Sequence, residues 1–146
     1  MPDVLERSFA TIAVNALANH PLIRPEIGGD PKLPLDLTDV IDCDRNVCLM
    51  GEHGGFIYIW TGPNAYEVHT IVNENGRGKW ALDAARESLA HMADNHGARH
   101  IWTRVAASQR NVRAFTIAAG LRPCGQEVFD LGNGPTIYNL YEWKAY

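Results

Sequence analysis

The clearest pattern of apolar and polar positions lies in the middle of the chain. Over residues 77–95, Ala81, Ala85, Leu89 and Met92 share one helical face, while Lys79, Asp83, Glu87, Ala90 and Asp94 lie mainly on the other. That spacing predicts an amphipathic helix closed by Gly97. Upstream, residues 47–50, 56–60 and 66–72 are short apolar or β-branched runs separated by Glu52-His53-Gly54-Gly55 and Thr61-Gly62-Pro63-Asn64. Turns this short cannot carry a parallel crossover, so the three runs predict an antiparallel meander. Downstream, 100–106 reads as a strand and 109–119 as a second amphipathic helix built on Val112, Phe115 and Ala119. Residues 126–131 and 136–143 flank Gly132-Asn133-Gly134-Pro135 and predict a closing hairpin.

The first third is less regular. Leu5, Phe9, Ile12, Ala13, Ala16 and Leu17 recur at helical spacing, predicting a helix over 4–18 with Asp3 and Glu6 in capping-box positions. Pro21 and Pro25 end it. The stretch 21–39, with Gly28-Gly29-Asp30-Pro31 at its centre, reads as a long loop, and loops of that length are usually functional or mobile. The order is therefore helix, three strands, helix, strand, helix, two strands. A strand–helix–strand crossover inside an otherwise antiparallel sheet defines a mixed α/β class, with a mostly antiparallel sheet flanked by helices.

Composition narrows the picture without changing it. The 146 residues suit one domain with a real hydrophobic core, and 46% apolar against 21% charged residues is ordinary for a globular chain. Thirteen Lys and Arg against 17 Asp and Glu give a net charge of −4, which argues against a nucleic-acid partner held by broad phosphate neutralisation. Cys43, Cys48 and Cys124 form no CxxC pair and are odd in number, which points to a reducing compartment rather than a disulfide scaffold. The start of the chain has no signal-peptide pattern, and no apolar run reaches the ~18 residues of a membrane span, so the expected location is the cytoplasm, with no membrane partner. His91, His96 and His100 lack Cys or carboxylate partners at metal-binding spacing, so no metal is expected. Cys124 reads as a small core residue, and Trp60, Trp102 and Trp143 as core aromatics.

The most informative stretch is Val72-Asn73-Glu74-Asn75-Gly76-Arg77-Gly78-Lys79, where a strand ends, a glycine-bearing loop follows and a helix begins at once. Glycines let backbone approach a ligand, and the outward N–H groups and dipole of a helix start suit a phosphate or pyrophosphate. Arg77 and Lys79 at that end oppose the dipole, a cost that a bound anion would offset. The plain alternative is an ordinary strand–helix turn with solvated cations.

With this loop in place, the chain resembles the GNAT superfamily of acyl-CoA N-acyltransferases over roughly residues 45–146. The loop is similar to their pyrophosphate signature in two registers. One runs from Asn73 to Gly78; the other, preferred because it also positions the helix, uses Val72 and Arg77-Gly78, with Glu74 in the usual proline position and Trp80 where a small residue is common. Ile101-Trp102-Thr103-Arg104-Val105, then Gln109 and Gly120-Leu121, resembles the family's next strand and helix, with Gln109 where Asn is usual and Asn111 as a competitor. The wording around Tyr66–His69 and Arg77–Lys79 looks most like small phage-type members.

The resemblance implies a single GNAT-like N-acetyltransferase domain over 1–146, with acetyl-CoA as donor and an unidentified amine as acceptor, and leaves a homodimer open. It places the pantetheine along Thr70, Ile71 and Val72, the pyrophosphate over Gly76, Arg77, Gly78, Lys79, Trp80 and Ala81, and Gln109 nearby. Strand alternation puts Glu67, His69 and Ile71 on one face. Two ionisable residues on a central strand are costly unless paired or facing a cavity, and amine acylation needs a base, so Glu67 and His69 are the catalytic candidates. The plain alternative is a buried pair that only orders the strand. The tyrosine that often serves as general acid in this family is replaced by Thr116, leaving Tyr138, Tyr141 or unaided thiolate departure. The rival expectation is a catalytically idle CoA-binding or phage-associated interaction module with the same fold.

Overall fold

The computed structural model describes residues 5–27, 30–130, 132 and 134–145. Eleven elements follow in order: β1 (Glu6–Arg7), α1 (Thr11–Ala18), α2 (Thr38–Asp42), β2 (Val47–Gly51), β3 (Gly54–Gly62), β4 (Ala65–Val72), α3 (Lys79–His96), β5 (His100–Ala106), α4 (Arg110–Ala118), β6 (Arg122–Asp130) and β7 (Pro135–Lys144). Single 3₁₀ turns occupy Arg24–Glu26 and Glu74–Gly76. The seven strands form one sheet in the order β1-β2-β3-β4-β5-β7-β6. Among the described residues every strand pair is antiparallel except β4–β5, which the α3 crossover makes parallel.

Two apolar layers hold the sheet. On one side Ala81, Ala85, Leu89 and Met92 of α3 meet Phe56, Tyr58, Tyr66, Val68 and Val72, as the helical period predicts. On the other, Val14 and Ala18 of α1 and Ile41 of α2 cover Cys48, Ile57 and Ile71. The alternation along β4 is thus resolved into two faces, with Glu67, His69 and Ile71 turned toward the α1–α2 side. That second layer covers β2 to β4 only. The same face of β5, β7 and β6 carries Trp102 and Arg104, opposite Glu142 and Leu140 of β7.

The N-terminal third departs from the sequence reading. Asp3 of the expected capping box lies outside the described residues, and Glu6 stands in β1 opposite Met50. The helix is only Thr11–Ala18, and Phe9 and Ile12 of the expected inner face are 55% and 87% exposed. Val14 and Ala18 are buried instead, because β1 fixes where the helix can start and hence which stripe meets the sheet. The 21–39 loop contains a 3₁₀ turn and the start of α2, with Gly28 and Gly29 outside the described residues. The buried Arg24 binds it together, donating to the carbonyls of Ile27 (3.1 Å), Asp30 (2.8 Å) and Leu33 (3.0 Å).

Two smaller readings change as well. Cys124 is exposed on β6, a strand whose outer edge is unpaired and nearly all of whose side chains face solvent. Trp102 is half-buried on the open face of the sheet rather than in either core. Leu131 and Asn133 of the closing hairpin lie outside the described residues. No described helix is long and apolar enough to cross a membrane.

Candidate active site

Strand β4 is treated differently along its two edges. Toward β3 its ladder runs from Ala65 to Val72, with one irregularity near Gly62. Toward β5 it pairs only at Ala65↔His100, Tyr66↔Ile101 and Glu67↔Trp102. One further tie follows, where Thr103 Oγ1 donates to the Val68 carbonyl at 3.0 Å. Beyond it the strands part, and among the described residues the β5-side backbone of residues 69–72 has no ladder partner. The opening leads into a cleft of about 1160 Å³ whose lining includes Phe56, Val68, Val72, Ala85, Leu89 and Val105. An unpaired backbone edge above apolar walls suits a narrow ligand that carries amide groups and methylenes.

The loop at the end of β4 makes the cleft's rim. Asn73 accepts the Gly76 N–H at 3.2 Å and closes the 3₁₀ turn. Gly76 is buried, and a Cβ there would collide with the His53 Cβ and stand 2.8 Å from Val72 Cγ1. Gly78 has a different reason to be glycine. Its φ of +96° and ψ of −129° lie where L side chains are strained, yet a Cβ would meet nothing within 4 Å. It precedes α3 directly, and no side chain caps the helix, so the first N–H groups remain available to an anion.

The two cations at this rim have protein partners. Arg77 pairs with Glu26 at 3.2 Å and donates to the Leu22 carbonyl at 3.0 Å, and Lys79 pairs with Asp83 at 2.5 Å. Their placement therefore has an explanation inside the chain, and the anion argument rests on Gly78 and the uncapped helix.

Glu67 and His69 do come together, with His69 Nε2 3.4 Å from Glu67 Oε1. A third residue joins them. Arg104 Nε donates to Glu67 Oε2 at 3.2 Å, across 37 residues of sequence. Burial pushes the Glu67 carboxyl up, but the hydrogen bonds and charges of His69 and Arg104 outweigh it and hold the group below the usual glutamate range. Glu67 is thus held by two neighbours and mostly buried, while His69 beside it is one-third exposed. Sequence reasoning quoted Arg104 within its strand but gave it no role. Its partner lies 37 positions away, so no local pattern marks it.

Of the other expected site residues, Thr70, Val72, Arg77, Gly78, Ala81 and Gln109 line the cleft. Ile71 points into the core beneath α1, Gly76 is packed under the loop, Lys79 turns to Asp83, and Trp80 stands edge-on to His53 at 5.0 Å. Gln109 caps the start of α4 through its backbone, and the competing Asn111 also reaches the cleft. Thr116 donates its hydroxyl to the Val112 carbonyl (2.8 Å), within its own helix. Tyr138 is buried at the cleft wall, whereas Tyr141 belongs to the α3-side core.

This architecture, a mixed and mostly antiparallel seven-stranded sheet flanked by helices, matches the GNAT fold. Solved structures share it along almost the whole chain. A GNAT-family acetyltransferase from Bacillus anthracis superposes with a TM-score of 0.70 at 16% identity, covering 99% of this chain and 98% of its own. Spermidine N-acetyltransferase from Vibrio cholerae, solved with CoA and spermine, gives 0.73 at 14% identity, covering 96% and 94%. Microcin C7 self-immunity acetyltransferase, solved with acetyl-CoA and AMP, gives 0.72 at 10% identity, covering 99% and 94%. No protein-family model matches the sequence, and no curated protein matches it.

Proposed function

We propose that the chain is an N-acetyltransferase that moves an acetyl group from acetyl-CoA to an amine by direct attack. The observation that carries this reading is the parting of β4 from β5 directly beside both Gly78 and the Glu67–His69 pair. Donor and base are thereby given adjoining places on one strand. The unpaired backbone of 70–72 fits the amides of a pantetheine, and Gly78 with the first turn of α3 fits a pyrophosphate. Two of the fold neighbours were solved with CoA or acetyl-CoA, which supports acetyl-CoA as the donor.

In this reading the acceptor arrives on the α1–α2 side, past the loop that Arg24 holds. His69 takes a proton from the amine nitrogen as its lone pair forms the C–N bond to the thioester carbonyl. The C–S bond then breaks, and the sulfur leaves as thiolate and gains a proton. Overall an amine and acetyl-CoA give an amide and CoA–SH, with a further proton released if the acceptor enters as ammonium. Glu67 keeps the imidazole turned toward the amine. Thr116 stays bonded to its own helix, and of the two candidate tyrosines only Tyr138 lines the cleft, so it is the candidate donor of that proton, with unaided thiolate departure as the alternative.

Thr116 in place of a tyrosine on α4, its hydroxyl spent on the Val112 carbonyl, favours a second reading, an idle CoA-binding module. A thermal-shift titration with acetyl-CoA followed by an amine panel separates the two. Stabilisation with turnover supports the transferase, stabilisation without turnover supports the idle module, and no stabilisation overturns both.

A further inference from the structure

The guanidinium of Arg104 is held more firmly than pairing with Glu67 alone requires. Its carbon lies 4.4 Å from the ring centre of Phe129 and 5.2 Å from that of Trp102, so two aromatic rings brace it. Only Nε is used by Glu67. Among the described residues neither Nη has a hydrogen-bond partner. Neither is buried, since the one buried side-chain polar atom lacking a partner is Arg113 Nε. Arg104 lines the cleft. The result is an oriented, half-buried fork with open donors, the arrangement that takes up a planar carboxylate in two parallel bonds.

Its position beside His69 sets the ligand's shape. One carboxylate, that of Glu67, touches both residues, His69 through Oε1 and Arg104 through Oε2. A ligand whose amine faces His69 and whose anion faces the Arg104 fork must carry the two groups only a few bonds apart. The acids along the cleft are already engaged: Glu26 with Arg77, Glu67 with Arg104, and Asp30 Oδ1 with the Lys32 N–H. What stays open at this point is the pair of Arg104 Nη donors, which a carboxylate can accept from and an ammonium cannot.

Building on the acetyltransferase reading, we infer that the acceptor is an amine bearing a nearby carboxylate, as in a free α-amino acid, and that Arg104 is its specificity-determining residue. Polyamines, and peptide N-termini whose α-carboxyl is tied up as an amide, lack the required anion.

The test uses α-amino acids with apolar, aromatic and polar side chains, each beside its primary amide and its decarboxylated amine. They are assayed with acetyl-CoA on the wild-type chain, Arg104→Gln and Arg104→Lys, with melting temperatures recorded. The wild type should favour at least one amino acid over its amide by roughly ten- to a hundredfold in kcat/KM, the usual worth of a charged hydrogen bond. Arg104→Gln should erase that preference chiefly through KM, and Arg104→Lys should restore part of it. If the amides or amines react as well as the acids, or Arg104→Gln slows all three alike, Arg104 serves only to hold Glu67 and the inference is overturned while acetyl transfer stands. If nothing reacts although acetyl-CoA raises the melting temperature, the acetyltransferase reading falls, and this assignment with it.

Discussion

The two edges of β4 make an instructive pair. Toward β3 the strand is laddered along its whole length, and Phe56, Ile57 and Tyr58 at that junction are buried. Toward β5 the ladder stops after three residues, and polar side chains gather where it stops: Glu67, His69, Thr103 and Arg104. A broken ladder exposes backbone groups that a folded chain ordinarily satisfies, and that cost is tolerated where a ligand supplies the missing partners. One edge therefore sets stability and the other sets chemistry, and variants placed on each should separate the two.

The largest effect is expected on the open edge. His69→Gln should lower kcat by roughly two to four orders of magnitude, the range for loss of a general base, with acetyl-CoA affinity unchanged in a thermal-shift titration. Near-normal turnover would return the Glu67–His69 pair to a purely structural role. Gly78→Val comes next. Holding valine at this φ costs about 1–3 kcal/mol, so the free loop should relax away from it, and acetyl-CoA, which must restore the φ to bind, should bind roughly ten- to a hundredfold more weakly by calorimetry. By contrast Gly76→Ala, which forces a Cβ against His53 and Val72, should lower the melting temperature with or without donor, at a cost of about 1–3 kcal/mol.

On the closed edge, Tyr58→Phe removes the 2.6 Å hydrogen bond to Ser88 Oγ, which still donates to the Ala85 carbonyl. A loss of about 1 kcal/mol in chemical denaturation, with kinetics intact, is expected. The smallest effect concerns pH. The folded chain holds Glu67 below its ordinary value of 4.5, so the folded state binds fewer protons than the unfolded chain there. The stability this contributes is present above pH 4.5 and fades as pH falls through the lower folded value. Asp36 and Asp83 are lowered too, so the measurement is a difference: the stability gap between wild type and Glu67→Gln should narrow on acidification below 4.5.

The β3–β4–α3–β5 centre was legible because its periods are strong and its turns short. Ala81, Ala85, Leu89 and Met92 face the core as spaced, and β5 spans the residues its pattern marks. The N-terminal helix was misread because a two-residue strand of Glu6 and Arg7, defined only by pairing with Met50 and Leu49, decides where α1 begins. No local pattern carries that information. The splitting of β4 from β5 was not legible, since both strands have ordinary sequences. Arg104 was missed for the same physical reason: its partner is 37 positions away, and a lone arginine on a strand has no period.

Arg77 has a practical consequence for anyone remodelling this protein. One side chain fastens the Leu22 carbonyl and the Glu26 carboxylate to the start of α3. The 21–39 segment is therefore not a portable cassette. Grafting another loop there to change acceptor range would also strip a helix-end arginine of its counter-charge, so a graft should be made with position 77 redesigned alongside it.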